Sequence, residues 1–177
     1  MSNPNRAVFK AVQSMLERHR DCDYFFYGDE ERHTECKPIK QFPGITTLVE
    51  LFSVLEHCWD DNTANPIYIY YDDLPDFILS FGQFDVTAIL VYDMFGGSIH
   101  KIKIPNSYVH YFNKLNGNYV DLTREQFDVC GIPIEYEPNH KVSKEYCLRK
   151  EETVKRYKQL QKNIINYLLN YKYDFYD

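Results

Sequence analysis

Apolar positions recur at three- and four-residue spacing over residues 5–19, where Val8, Phe9, Val12, Met15 and Leu16 form the stripe of an amphipathic helix laid on the core. Residues 21–44 mix the run Tyr24-Phe25-Phe26-Tyr27 with charges, Pro38 and Pro43, which predicts a loop with one short strand. Thr47 followed by Glu50 fits a capping box opening a helix through Leu48, Leu51, Phe52, Leu55 and Cys58. The Asp, Asn and Pro residues of 60–66 close it. Residues 67–81, aromatic and acidic around Pro75, fit either a flap or an inserted strand and turn.

Gly82-Gln83 leads into residues 85–95, where Val86, Ile89, Leu90 and Met94 predict a buried central helix that Gly96-Gly97 ends through a left-handed C-cap. Residues 98–104 and 108–115 alternate apolar and polar positions, with Pro105-Asn106 as the turn between them. Asn116-Gly117 is a strong type I′ signal that returns the chain through residues 118–122, giving an antiparallel meander of three strands. Thr123 and Gln126 fit a second capping box for a short helix, and Pro133 and Pro138 break the segment after it. From Ser143 onward Leu148, Val154, Tyr157, Leu160, Ile164 and Leu168 predict one C-terminal helix of about 25 residues, about 38 Å long, packed along its own domain. No repeat, low-complexity tract or linker interrupts the chain, so residues 1–177 read as a single α+β domain.

With 177 residues, 44% of them hydrophobic and 16% aromatic, the chain can bury a sizeable core and is expected to fold. The net charge of −6 repels a polyanion, which excludes nucleic acid as an expected partner. Lys101 with Lys103, and the basic series Arg149, Lys150, Lys155, Arg156 and Lys158 interrupted by Glu151 and Glu152, read as solvated faces. No signal-peptide core and no run of about 18 apolar residues is present, which predicts a cytoplasmic protein without membrane attachment. Five scattered cysteines, Cys22, Cys36, Cys58, Cys130 and Cys147, form no C-x-x-C pair and fit reduced thiols. The histidines His19, His33, His100 and His140 suggest no metal set, and Asp60-Asp61 and Asp72-Asp73 read as turn acids, so neither metal nor cofactor is expected.

The order central helix, strand, strand bearing His110, tight hairpin, strand ending in Asp121 resembles the layout of papain-like thiol hydrolases. There a cysteine at a helix start has its thiol pKa lowered by the helix dipole, a strand histidine takes its proton, and an acid or amide orients the imidazole. His110 and Asp121 suit the last two roles, with Asn113 and Asn118 competing to orient the ring.

Trp59, Asn65-Pro66, Gly82-Gln83, Val86-Thr87-Ala88, Gly96-Gly97, His110-Tyr111, Asn113, Asp121-Leu122-Thr123 and Gln126-Phe127 together resemble the bacterial YunG-like family. That family's pattern is similar to NP-x-x-GQC-x-VTA, then GG, HY-x-N and DLT-x-x-QF. The resemblance implies a fold related to papain-like or NlpC/P60-type thiol hydrolases, a half-site of His110 and Asp121, and Gln83, Trp59 and Asn113 beside it. Two departures stand out. Residues 67–81 lengthen the stretch between Asn65-Pro66 and Gly82, and the family's cysteine falls on Phe84. A benzyl group forms no thiolate, so the expected function is a degenerate domain acting in binding or regulation on a protein or peptide partner. Two alternatives remain open: a thiol hydrolase or acyl transferase using Cys58 as a relocated nucleophile, and a purely structural interaction module. Ser80 is a loop hydroxyl expected to cap or meet solvent, Thr87 is expected to back-bond to a carbonyl, and His57 beside Cys58 cannot face it on a helix.

Overall fold

The computed structural model describes residues 4–29, 37–39, 42–66, 78–105 and 108–170. The expected flap of residues 67–81 lies outside the described residues except for its last four, which enter a turn; His33, Cys36 and Asp72-Asp73 lie outside them altogether. Helix α1 (Pro4–Arg18) buries Ala7, Val8, Ala11 and Met15, while Phe9 is 61% and Leu16 50% exposed. The core face is thus rotated from the predicted stripe, with Ala7 and Ala11 fully buried on the side where α1 packs on α2.

Helix α2 (Leu48–Leu55) opens on the predicted capping box: Glu50 N–H donates to Thr47 Oγ1 at 3.1 Å and Thr47 N–H donates to Glu50 Oε2 at 3.1 Å. It ends at Leu55, short of Cys58. Helix α3 (Phe84–Phe95) is the central element, packed on the sheet on one side and on the last helix on the other. It begins at Phe84, one residue before the predicted start. Gly96, at φ 77° and ψ −139°, closes it with its N–H on Tyr92 O at 2.9 Å, so the stop is a glycine of positive φ without the αL pair of angles.

Strands β1 (Ser98–Ile104), β2 (Tyr108–Leu115) and β3 (Asn118–Val120) form the predicted antiparallel meander. Asn116 and Gly117 take φ values of 49° and 86°, as a type I′ turn requires. The third strand stops before Asp121, which exchanges two backbone hydrogen bonds with Tyr27 instead. That bridge is the one short extended contact within residues 21–29. A strand the sequence did not announce, β4 (His140–Val142), pairs with the far edge of β1 and gives the sheet order β3-β2-β1-β4.

Two further expectations change. Helix α4 (Glu125–Asp128) has no second capping box, because the amide and hydroxyl of Thr123 both donate to Asp121 Oδ1 at 3.0 Å. The predicted single C-terminal helix is two: α5 (Lys144–Cys147), capped by Ser143 Oγ, and α6 (Glu151–Asn170). Across the break Arg149 Nη1 donates to Tyr146 O at 2.6 Å, satisfying a helix-end carbonyl. The second piece, about 30 Å long at 1.5 Å per residue, lays Tyr157, Leu160, Ile164 and Leu168 against the core. Arg156, expected on a solvated face, is buried with them.

The sheet is covered on both faces. Ile99, Tyr111 and Leu115 join the helical core, whereas Ile102, Ile104 and Phe112 pack with Phe127 and Tyr136 from the connection after the hairpin. The architecture is α+β, and among the described residues no helix is long and apolar enough to cross a membrane.

Candidate functional site at the start of the central helix

Phe84 is the first residue of α3 and is 4% exposed. Strand β3 pairs only with Asn113–Leu115, so nearer its start β2 has no hydrogen-bonded neighbour on that side among the described residues. One ring can therefore touch side chains from both faces of β2. Phe84 lies 5.7 Å from the His110 ring, centroid to centroid, and stacks on Tyr111 at 6.0 Å and 1°.

His110 is buried and edge-on to Phe127 at 4.6 Å. Its Nε2 is 2.6 Å from Asp121 Oδ2. Asp121 also accepts from Tyr136 Oη at 2.9 Å and from Thr123 twice, so four donors converge on one carboxylate. Burial pushes this carboxyl up, but the neighbouring imidazole and the bonds from His110, Tyr136 and the Thr123 amide outweigh that and hold it below the usual carboxylate range. An ionised carboxylate only accepts, so Nε2 carries the ring proton. In the neutral ring Nδ1 is then a lone-pair acceptor, and this buried nitrogen has no hydrogen-bond partner among the described residues.

The remaining sequence candidates divide. Asn113 does not orient the imidazole; its Nδ2 donates to Ala88 O at 2.9 Å and ties β2 to α3. Trp59 Nε1 donates to Thr87 Oγ1 at 3.1 Å, which pins the end of the α2 segment to the same helix and gives Thr87 a role other than back-bonding. Gln83 Nε2 donates to Asp60 O at 3.0 Å, while its buried Oε1 has no partner among the described residues. Ser80 is fully buried, and among the described residues its hydroxyl has no partner, so it neither caps nor meets solvent.

Cys58 is 2% exposed in the main core, and burial, reinforced by Asp60, pushes its thiol up to about 12. Among the described residues no sulfur lies within hydrogen-bonding reach of His110 Nδ1. His57 stacks on Tyr167 at 5.0 Å. Among the described residues no group of His, Cys, Asp and Glu could hold a metal ion.

Sequence reasoning missed three participants. Tyr136 reaches Asp121 from a proline-broken connection that carries no periodic signal, and Arg124 Nη1 donates to its hydroxyl at 3.2 Å. Arg156 grips Asp85, the second residue of α3, through Nη1–Oδ1 at 2.8 Å and Nη2–Oδ2 at 2.6 Å. Cys147 lines, with Phe84, Tyr111 and Tyr146, a cleft of about 370 Å³ beside the helix start. Burial, with Asp85 adding to it, pushes that thiol up to about 11.

Comparisons with known proteins agree with the motif reading at family level. Residues 47–169 match the family described as YunG protein. Over 84 residues the chain is 37% identical to the "Uncharacterized protein YunG" of Bacillus subtilis (strain 168), covering 48% of this chain and 64% of that relative. The chain thus spans a little under two thirds of the length of the curated relative it matches. No solved structure matches it. With the family match running from the α2 cap through the His110–Asp121 pair into α6, the chain belongs to the YunG family.

Proposed function

We propose that this chain is a catalytically degenerate, cysteine-hydrolase-like domain of papain-like or NlpC/P60-like ancestry, working in the cytoplasm by binding or regulating a protein or peptide partner. The observation that carries the reading is the Nδ1 of His110, unpartnered among the described residues, on a ring whose other nitrogen is locked to Asp121, 5.7 Å from the ring of Phe84. In a thiol hydrolase that position, at the first turn of a helix, gives a thiolate its dipole and its base. A benzyl side chain there supplies packing and no nucleophile. Loss of a nucleophile lowers turnover by on the order of 10⁶, leaving binding as the useful property of the site. Cys58 is a poor substitute, since a thiol pushed up to about 12 is protonated at neutral pH.

Labelling with iodoacetamide followed by peptide mapping tests this. In the natural protein the exposed Cys22 and Cys130 react at ordinary rates and Cys58 and Cys147 stay unlabelled until the chain is denatured. A Phe84→Cys variant gains one fast-labelling thiol near neutral pH, and adding His110→Ala slows it at least about tenfold. Fast labelling of Cys58 in the natural protein, abolished by His110→Ala, defeats the proposal in favour of a working thiol enzyme.

A further inference from the structure

We infer that the cleft beside Phe84 binds a ligand joining an apolar or aromatic group to a carboxylate, the chemistry found at the C-terminal residue of a peptide. The inference rests on the binding role proposed above and names its ligand class. One wall is aromatic: Phe84 and Tyr111 lie parallel, with Tyr146 nearby. The rim is where charge remains unspent. Asp85, the more buried of the two lining acids, meets both terminal nitrogens of Arg156, and Glu152 meets its Nε at 2.9 Å, so one cation serves two acids and the trio keeps a single negative charge. Arg156 also meets Thr63 O and Thr153 Oγ1, so its donors are consumed within the protein.

Arg149 and Lys150, both exposed on the same cleft, have no ion pair among the described residues. The Arg149 guanidinium is held over the Tyr146 ring at 3.8 Å with Nη1 on Tyr146 O and a side-chain hydrogen bond to Tyr111, which uses part of its set of five donors. Tyr146 is steadied from the other side by Lys101 Nζ, which donates to its hydroxyl at 2.7 Å. The start of α3 adds a positive partial charge at the floor. Arg149 and Lys150 together outweigh the negative charge left on the Asp85–Arg156–Glu152 trio, so in a chain of net charge −6 the lining of this cleft is net positive and selects an anion. The flat aromatic wall selects an apolar partner for the anion. A planar guanidinium with free donors favours a carboxylate, which accepts two parallel bonds.

Calorimetric titration with N-acetyl-phenylalanine and with N-acetyl-phenylalaninamide tests the charge requirement. The carboxylate binds at least about tenfold tighter than the amide, and an Arg149→Gln/Lys150→Gln variant loses about tenfold for the carboxylate alone. Both substitutions are on exposed side chains, and an unchanged melting temperature verifies the fold. N-acetyl-Ala-Ala-Phe and 3-phenylpropionate separate the sources: tighter binding of the tripeptide assigns a peptide end, and equal binding assigns a free acid. Equal affinity for acid and amide, an unaffected double variant, or no binding of any carboxylate overturns the inference. A Phe84→Cys variant that gains no reactive thiol defeats the proposed ancestry and leaves the carboxylate preference standing.

Discussion

The pair Asp85–Arg156 fixes the start of the helix that presents position 84, and its removal has a magnitude that the structure bounds. The two side chains are 9% and 7% exposed and meet through two short bonds. Replacing Asp85 with Asn keeps the shape but leaves a buried guanidinium facing an amide that offers it one acceptor. Breaking a buried pair from one side costs about 3–5 kcal/mol, because the surviving charge stays desolvated. In a chain of this size each kcal/mol moves the midpoint by about 2–4 °C, so Asp85→Asn melts about 6–20 °C below the natural protein. Glu152, with its side chain 51% exposed, accounts for less than about 1 kcal/mol of the network, and Glu152→Gln changes little. Urea denaturation of Asp85→Leu, Arg156→Met and the double variant gives the coupling. The double variant recovers at least about 2 kcal/mol of the summed losses, since two apolar groups leave no stranded charge. A loss under about 1 kcal/mol for Asp85→Asn, or a coupling within about 0.5 kcal/mol of zero, refutes the claim that this pair anchors α3.

Two other expectations concern the sheet and the histidine pair. At Gly97, with φ 71°, an added Cβ would stand 2.3 Å from Lys114 O, whereas at Gly117, with φ 86°, it meets nothing within 4 Å. Gly117→Ala therefore loses only about 1–2 kcal/mol of backbone preference, while Gly97→Ala loses at least about 3 kcal/mol or fails to fold; similar urea midpoints for the two would contradict the register of β1 and β2. Asp121, held below its ordinary carboxylate pKa, stabilises the fold above its unfolded value of about 4, and that contribution is lost as pH falls through the folded value. The natural protein should lose stability on acidification below about pH 4 by a component absent from Asp121→Asn, and parallel pH profiles for the two would rule out the inferred ionised carboxylate.

The site was legible where local chemistry dictates structure. Asn116-Gly117 has one favourable turn, so the sequence placed the strands of His110 and Asp121 side by side, and their 2.6 Å contact followed. Thr47 and Glu50 likewise had a strong local solution. Thr123 and Gln126 carried the same signal and went elsewhere: the Thr123 amide and hydroxyl donate to the buried Asp121 carboxylate, and Gln126 Nε2 donates to Thr123 O. Strand β4 is three residues with two exposed side chains, too short to show alternation. The break between α5 and α6 contains neither Pro nor Gly, and apolar spacing runs through it unchanged. The burial of Arg156 depends on an acid 71 positions earlier, a distance at which no pattern along the chain speaks. Charge spacing alone made it look like one more cation on a wet helix.

The donors that converge on Asp121 come from His110, Tyr136 and Thr123, and none comes from α3. The imidazole is thus set like a compass needle by a mount assembled independently of whatever side chain occupies the helix start. A substitution at position 84 therefore leaves every one of those donors in place. The aim of the ring and the packing of the helix start are separate properties of the fold.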